Sequence, residues 1–247
     1  MVSMRRFWRF CRNLLLFFFI STFLAVGMYK FVPVYITPLM VIRWVESAID
    51  GKTLKRQHEW VPIEKIARPL VQAVIASEDN LFMQHDGFDF KQIRKAMDEA
   101  KQGKRVRGAS TISQQTAKNV FLWNGKNYFR KGLEVYFTVL IEWVWGKERI
   151  MEVYLNSIEM GKGIYGAEAV AKAHFRKKAY QLTRSEAALI AASLPNPRRF
   201  NSGKPSAYML RRQEQILSLM YKIPKVEIGY TGQGKSINTR KTKTIKK

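Results

Sequence analysis

Cysteine and histidine are scarce in this sequence of 247 residues, and their scarcity excludes several kinds of site. The single cysteine, Cys11, can form neither a disulfide within the chain nor a cysteine-based zinc site. The three histidines, His58, His85 and His174, are far apart and match no metal-ligand spacing. The sequence therefore predicts neither a disulfide-stapled domain nor a metal centre bound by cysteine or histidine.

Acidic residues are also few, because 19 Asp and Glu stand against 43 Lys and Arg, giving a formal net charge of +24. The hydrophobic content of 47% is that of a folded protein rather than a disordered one. An excess of positive charge predicts an anionic partner, such as nucleic acid, phospholipid headgroups or a phosphorylated substrate. Charge alone does not choose among these, and plain solubility is the remaining interpretation.

Part of the positive charge is concentrated near the two ends of the chain. Residues 1–12 contain four arginines and no acid, and residues 235–247 contain six Lys or Arg and no acid. The composition after Pro224 is polar and basic. We therefore expect residues 223–247 to form a basic, disordered tail.

A long uncharged run follows the first basic segment. No charged residue occurs over 13–29, and the chain remains largely apolar to Ile36. A membrane-crossing helix needs about 20 apolar residues, with a lower limit of about 17. We predict a transmembrane anchor over 13–36 with residues 1–12 in the cytoplasm, since basic flanks stay inside. A cleaved signal peptide is the alternative, but no clear small-x-small cleavage site follows the run.

The rest of the chain shows helical periodicity, and strand signals are sparse. Residues 131–145 carry a single apolar stripe, and Thr183 and Glu186 match a capping box. The sequence predicts a mainly α-helical fold, with a connector over 37–54 and one domain over 55–222. Helices are predicted over 70–78, 90–101, 111–120, 131–145, 147–155, 167–173, 187–194 and 206–221.

The first group of candidate functional residues occupies 78–89, where four acids and a histidine follow an apolar helix. Val71, Val74 and Ile75 precede Glu78 at helical spacing, so its carboxylate lies close to the apolar face. A carboxylate beside apolar surface has a raised pKa, which suits a general base. A helix end followed by a polar turn is the alternative interpretation.

The second group occupies 108–119, after a basic segment over 102–109 that predicts a mobile loop. Ser110 is the predicted cap of the next helix, whose free backbone N–H groups can hold an anion. Ser110, Gln114 and Lys118 follow at intervals of four and share a helix face. That face suits a phosphate or a sugar, whereas an ordinary capped helix with a solvated side is the alternative.

Two further groups follow along the chain. Arg130 and Lys131 can neutralise phosphate, with Glu134 facing the same cleft, although an acid also favours a helix N-terminus for electrostatic reasons. Residues 147–156 read mainly as helix packing. The apolar cluster over 120–123 lies in a basic neighbourhood, so membrane contact and core packing are both open interpretations.

The segment over 161–166 matches the pattern GxGxxG. As a dinucleotide fingerprint it is weak, because it follows a helical pattern and no βαβ unit surrounds it. We predict instead a tight turn that leads into the helix over 167–173.

Taken together, these segments resemble the motifs of the peptidoglycan glycosyltransferase family, which includes monofunctional enzymes and the N-terminal domain of bifunctional penicillin-binding proteins. EDxxFxxHxGxD matches 78–89, G-x-STIxQQxxKN matches 108–119, RKxxE matches 130–134 and KxxIxExYLN matches 147–156. The resemblance covers roughly residues 55–205. Since the chain has no Ser-x-x-Lys and no Lys-Thr-Gly, it resembles the monofunctional type.

The resemblance implies a lysozyme-like α-helical lobe and a smaller membrane-associated lobe, on the periplasmic side of the cytoplasmic (inner) membrane. The implied reaction joins lipid II units into β-1,4 glycan strands with inversion at the anomeric carbon and release of undecaprenyl pyrophosphate. Expected partners are lipid II, the growing lipid-linked glycan, the membrane, and proteins of cell-wall synthesis or division, but not nucleic acid. No cofactor is required by the sequence, although a divalent cation such as magnesium is compatible with a pyrophosphate.

We assign Glu78 and Glu134 as the expected catalytic residues. Glu78 is the base for the acceptor 4-hydroxyl, and Glu134 has three open roles: positioning the acceptor, binding a divalent cation, or holding the neighbouring cations. Asp79 and His85 are expected to brace the turn after Glu78. The expected substrate-binding residues are Asp79, His85, Ser110, Thr111, Gln114, Lys118, Asn119, Arg130 and Lys131.

Two rival functions are compatible with parts of the pattern. A lysozyme-like hydrolase or lytic transglycosylase also uses a single acid in a helical lobe, but it needs no cations for a pyrophosphate. A membrane-tethered, non-enzymatic binder of anionic polymers would use the basic tail and the basic loop.

Overall fold

The computed structural model of the protein describes residues 2–49, 51, 57–103, 108, 110–125 and 127–228. Most of the predicted tail over 223–247 and most of the predicted loop over 102–109 lie outside the described residues. Part of the connector predicted over 37–54 does so as well.

Helices dominate the described residues, which confirms the predicted mainly α-helical fold. Each helix predicted between residues 70 and 221 is present, with ends that differ by a few residues at most, whereas the first helix begins before the predicted anchor and ends at Tyr29 rather than at residue 36. The α-helices are α1 (Val2–Tyr29), α2 (Pro38–Ile49), α3 (Arg68–Glu78), α4 (Phe90–Lys101), α5 (Ile112–Phe121), α6 (Tyr128–Val144), α7 (Gly146–Ser157), α8 (Ala167–Phe175), α9 (Arg184–Ser193) and α10 (Ala207–Lys222). Short 3₁₀ turns occupy Ile63–Lys65 and Ala179–Gln181.

Capping side chains fix where several helices begin. The predicted capping box is confirmed at α9, where the Thr183 hydroxyl accepts a hydrogen bond from the Glu186 backbone and Glu186 accepts one from the Thr183 backbone. The prediction for α5 was wrong by one residue, because the cap is Thr111 and not Ser110. Serine and threonine both favour the cap position of a helix. Thr111 is the cap here because the Gln114 side chain accepts a hydrogen bond from the Thr111 backbone N–H, which completes a capping box.

The predicted connector contains a helix that the sequence analysis missed. No helix was predicted over 37–54, yet α2 begins in this range at Pro38, a helix position where the missing N–H of proline costs no helical hydrogen bond. Thr37 caps this helix by accepting a hydrogen bond from the Met40 backbone. Helix α2 packs against α5, so residues close to the anchor support a helix of the candidate site.

A small sheet confirms the predicted turn over 161–166. Strand β1 (Gln57–His58) pairs in parallel with β3 (Ile164–Tyr165), and β2 (Glu159–Gly161) pairs antiparallel with β3. Gly163 and Gly166 have positive φ angles, a conformation that glycine adopts without steric cost. The GxGxxG pattern therefore forms a hairpin that leads directly into α8.

The core holds two groups of packed helices in place. Helix α3 packs against α9 and α10, and α5 packs against α6 and α7. The first group buries Val74, Ile190 and Ile216 completely, and the second does the same with Ile112 and Ile141. Burying such a side chain contributes about 1.5–3 kcal/mol. The residues of the candidate site are therefore mounted on fixed elements of both groups.

Helix α1 contains a segment of 26 residues, Met4–Tyr29, that is long and apolar enough to cross a membrane. Its end is held by the domain. The Trp145 indole N–H donates to the Val26 carbonyl at 2.7 Å, and Arg149 donates to the carbonyls of Tyr29 and Val32 at 2.9 and 2.7 Å. The last carbonyls of a helix have no partner within the helix. Arg149, which belongs to the fourth motif, supplies one.

The apolar cluster over 120–123 is mainly core. Val120 and Leu122 are buried, whereas Trp123 is partly exposed. Large apolar residues are exposed elsewhere, on α1, on α2 at Trp44, and on α6 at Trp143. Of the two interpretations of the cluster, core packing is correct for its buried members.

Replacing Gly166 with alanine is expected to lower the free energy of unfolding by more than about 2 kcal/mol. The φ angle at this position is +84°, and an added Cβ would lie 2.6 Å from the backbone oxygen of Asn156. Gly132 is the matched control, because it lies in α6 with nothing within 4 Å of an added Cβ. Gly132→Ala should stabilise the protein by about 0.5–1 kcal/mol. Thermal unfolding in detergent measures both changes, and a Gly166→Ala protein as stable as wild type would contradict the steric argument.

Candidate active site

A cavity of about 990 Å³ lies between the end of α3, the start of α5 and one side of α10. Of the described residues that line it, Glu78 is the one with a carboxylate. A smaller cavity of about 490 Å³ shares Glu78, Ser110 and Arg212 with the first. The larger cavity has room for a ligand of several sugar rings, which is far more than a single small ion needs.

Glu78 is the last residue of α3 and is half-buried at the cavity wall. Its carboxylate accepts a hydrogen bond from the Gln115 amide at 3.1 Å. The Gln115 carbonyl accepts in turn from the hydroxyl of Tyr154, a fully buried residue, at 3.3 Å. The carboxylate is therefore oriented by a chain of two side chains anchored in the core.

The surroundings of Glu78 raise the pKa of its carboxyl group. Burial raises the pKa of the Glu78 carboxyl, and this effect exceeds the opposing effects of the Gln115 hydrogen bond and of the charges on Arg212 and Lys118. The charge on the neighbouring Asp79 also raises the pKa. A carboxylate with a raised pKa takes up a proton more readily, as a general base must.

Asp79 and His85 lie behind Glu78. The buried Asp79 carboxylate accepts from His85 Nε2 at 2.9 Å and from the Ile112 backbone N–H at 2.9 Å. His85 Nδ1 accepts from the backbone of Gly87, so its proton is on Nε2. Asp79 thus joins the turn after α3 to the first residue of α5, and holds Glu78 and Gln115 at a fixed spacing.

Two predicted substrate-binding residues at the start of α5 use their side chains in hydrogen bonds within the protein. Thr111 and Gln114 are buried and use their side chains in the capping box, and the Thr111 hydroxyl also donates to the Gly87 carbonyl at 2.7 Å. These bonds occupy the Thr111 hydroxyl and the side-chain oxygen of Gln114, while Thr111 also borders the smaller cavity, so contact of either side chain with substrate stays a prediction. Ser110 remains half-buried at both cavities, and Asn119 is buried within α5.

Three cations gather around α5 and α6. Burial lowers the pKa of the Lys118 ammonium, while the nearby Glu134 carboxylate opposes that shift. Arg130 donates to Glu134 at 2.7 Å and to the Gly125 carbonyl at 2.7 Å, and Lys131 forms an ion pair with the other oxygen of Glu134. Among the described residues, Lys118 forms no hydrogen bond or ion pair of its own. Its charge is therefore available to an anion.

Glu134, the second predicted catalytic residue, is paired with the two cations next to it. It is almost fully buried, and each of its carboxylate oxygens is paired with a cation. Of its three open roles, the geometry matches that of holding Arg130 and Lys131 in place. Its oxygens are not free to bind magnesium, and the described residues hold no cluster of three or more metal-ligating side chains.

Gln115, Arg211 and Arg212 line the cavity but were not among the predicted site residues. Gln114 and Gln115 precede Lys118 by four and three residues, and both spacings place a residue on the helix face of Lys118, so spacing alone does not choose between them. The two arginines lie on α10. They occur in an amphipathic helix far along the chain from the four motifs, and no local pattern marks them as site residues.

The fourth motif, over 147–156, has the structural role predicted for it. Lys147 forms an ion pair with Glu142 at 2.6 Å and lies over the ring of Phe82. The amide of the fully buried Asn156 both donates to and accepts from the backbone of Val61. These contacts hold α7 against the elements that carry the site.

Comparison with known proteins gives consistent matches. A family model described as "Transglycosylase" matches residues 46–221, a range that contains every site residue named above. A relative from Bacteroides thetaiotaomicron, named biosynthetic peptidoglycan transglycosylase, is 62% identical over 224 residues, which are 91% of this chain and 90% of that protein. Relatives of the same name from Bdellovibrio bacteriovorus and Caulobacter vibrioides are 54% and 50% identical, covering 82% and 84% of this chain and 81% and 90% of their own lengths.

Proposed function

This chain belongs to the transglycosylase family, and from that premise we propose that Glu78 and Lys118 carry the chemistry of glycan-strand polymerisation. The protein is a glycosyltransferase of peptidoglycan synthesis. Its substrates are lipid II and the growing lipid-linked glycan. The observation that carries the assignment is a contact of α5: Gln115 donates to the Glu78 carboxylate, and Lys118 lies three residues further along the same helix with no ion-pair partner among the described residues.

The reaction is a single displacement. The 4-hydroxyl oxygen of the acceptor sugar forms a bond to the anomeric carbon of the donor, and the bond from that carbon to the pyrophosphate oxygen breaks. The hydroxyl proton passes to the Glu78 carboxylate, and the bonding electrons leave with the pyrophosphate. One displacement at an α-linked donor inverts the anomeric centre and gives the β-1,4 product.

The residues around Glu78 support this mechanism over a two-step one. A retaining mechanism needs a second carboxylate about 5–5.5 Å from the first to act as the nucleophile. Among the described residues, Glu78 is the one carboxylate on the larger cavity. On the smaller cavity, Asp79 is occupied by His85 and the Ile112 backbone, and Asp89 caps α4 by accepting from the Gln92 backbone. A single base with nearby cations is what an inverting transfer to a hydroxyl requires.

Lys118 acts on the leaving group. Its ammonium offsets the negative charge that develops on pyrophosphate, and Arg130 and Lys131, held by Glu134, add to the local positive field. A neutral glycan that is only cleaved needs no such field. The cations therefore favour the transferase over a lysozyme-like hydrolase.

We further propose that α1 anchors the protein in the cytoplasmic membrane, with residues 1–12 in the cytoplasm and the site on the outer face. The basic start of the helix and its long apolar span support this orientation. The exposed apolar residues on α2 and α6 support further contact with lipid.

The direct test uses the purified full-length protein in detergent with labelled lipid-linked disaccharide-peptide. Long glycan strands are the expected product. Shortening of preformed glycan, without polymer, would favour the hydrolase. Binding of glycan with neither reaction would favour the non-enzymatic binder.

The pH dependence of kcat/KM is expected to be bell-shaped and narrower than exposed side chains would give. Activity rises as Glu78 loses its proton, at a pH above the ordinary glutamate value of about 4.3, because its pKa is raised. Activity falls as Lys118 loses its proton, at a pH below the ordinary lysine value of about 10.4, because its pKa is lowered. Lys118→Arg should move the alkaline limb upward, since arginine stays protonated. An alkaline limb that does not move would remove Lys118 from this role.

A further inference from the structure

The side of the cavity formed by α10 is basic and lies apart from the three cations described above. Arg211, Arg212 and Tyr208 line the 990 Å³ cavity together with Glu78. Lys118, Arg130 and Lys131 are not among the residues that line it. The site therefore has a second positive region, on a different helix from the one that faces the leaving group.

The two arginines of this region have no acidic partner among the described residues. Arg212 donates one hydrogen bond, to the side-chain carbonyl of Gln215 at 3.1 Å, and its charge also reaches Glu78. Most other cations near the site are paired: Arg130 and Lys131 with Glu134, and Lys147 with Glu142. An arginine guanidinium is built to bind a carboxylate through two parallel hydrogen bonds. Two that line a cavity without such a partner mark a site for an anionic group.

The chemistry of the substrate limits which anionic group Arg211 and Arg212 can bind. This step rests on the proposed function. The sugars of a peptidoglycan unit are neutral, and its negative charges are the pyrophosphate at one end and the carboxylates of the stem peptide. The mechanism assigns the pyrophosphate of the donor to Lys118, Arg130 and Lys131. The pyrophosphate of the acceptor lies two sugar rings from the 4-hydroxyl that meets Glu78, whereas the stem peptide is carried by the ring next to the reacting sugar. The group left for α10 is a stem-peptide carboxylate.

We propose that Arg211 and Arg212 bind a carboxylate of the stem peptide carried by the sugar next to the one at Glu78. The arginines select for substrate with free stem carboxylates and fix the position of the reacting hydroxyl along the cavity. Tyr208, stacked on Phe200 with ring centroids 5.4 Å apart, forms an apolar part of the same wall. Its ring suits the uncharged portions of a peptide.

The test compares substrates as well as variants. Wild type, Arg211→Gln, Arg212→Gln and the double variant are assayed with lipid-linked disaccharide whose stem carboxylates are free, with the same substrate fully amidated, and with a peptide-free substrate. The measured quantity is the ratio of kcat/KM for the free-carboxylate substrate to that for the amidated one. Changes that affect both substrates equally, such as an altered pKa of Glu78, cancel in this ratio.

Wild type should prefer the free-carboxylate substrate about tenfold or more, since a hydrogen bond to a charged group contributes at least that much. The double variant should lose most of this preference, and each single variant should lose part of it. Lys222→Gln is the matched control, because it removes a cation from the exposed end of α10 away from the cavity and should keep the wild-type ratio. Thermal unfolding checks that each variant is folded.

Three outcomes would overturn the inference. A wild-type protein that polymerises both substrates with equal kcat/KM has no carboxylate subsite. A folded double variant that keeps the preference places the subsite elsewhere, and one that loses activity equally on all three substrates assigns the arginines to the pyrophosphate or to the shape of the cavity. A wild type that polymerises nothing overturns the proposed function, and the inference falls with it.

Discussion

Replacing Glu78 with glutamine is expected to reduce polymerisation by about 10²–10⁴-fold, the contribution of a positioned general base. Glutamine keeps the shape of the side chain, and its amide oxygen can still accept the hydrogen bond from Gln115. The variant loses only the capacity to take up the proton of the attacking hydroxyl. The experiment measures glycan strands formed from labelled lipid-linked disaccharide-peptide, with wild type and variant side by side.

Glu148 provides a matched control for this substitution. Its carboxyl also has a pKa raised by burial, but it lies at the start of α7 and lines neither cavity. Glu148→Gln should therefore retain full activity. If Glu78→Gln, shown to be folded by its unfolding temperature, makes strands at the wild-type rate, Glu78 is not the base.

Removing the ammonium of Lys118 is the substitution with the next largest expected effect. Lys118→Ala should lower kcat about 10²–10³-fold, as does the loss of one preorganised group that stabilises transition-state charge. Arg130 and Lys131 do not replace it, because both are already paired with Glu134. The loss should appear in kcat more than in KM, because the charge on the leaving group develops in the transition state.

Lys118→Arg separates charge from shape. It keeps a permanent positive charge on a longer, planar group, so it should recover part of the activity that alanine loses. Single-turnover rates with saturating substrate should therefore decrease from wild type to Lys118→Arg and again to Lys118→Ala. Equal activity of Lys118→Ala and wild type, at any substrate concentration, is incompatible with a role at the leaving group.

Much of the fold could be predicted because its helices are signalled locally. The capping box at Thr183 and the apolar stripe over 131–145 depend on residues within a few turns of one another, and the structure contains both. Helix α2 was missed because its start is marked by a proline, which reads equally well as a helix opening or as a break. Local sequence does not distinguish the two without the packing of α2 on α5.

The candidate site was predictable in its motifs but not in its division of labour. The choice between Gln114 and Gln115 depends on which amide the cap at Thr111 engages, a matter of one residue in helix register. The sequence leaves three roles open for Glu134, and only the structure shows that each of its carboxylate oxygens is paired with a cation. Arg211 and Arg212 reach Glu78 only through the packing of α10 against α3, which no spacing along the chain reveals.

The contacts that Trp145 and Arg149 make with the end of α1 have a consequence for how enzyme and substrate meet. A loosely tethered domain would tumble above the bilayer and present its opening in every direction. With α1 in the membrane, as proposed, a domain fastened to this helix moves with it, so the opening of the site is expected to keep a constant height and tilt. Its lipid-tailed substrate diffuses in the same two-dimensional sheet. On that proposal, encounters with substrate are limited by lateral diffusion rather than by rotational search.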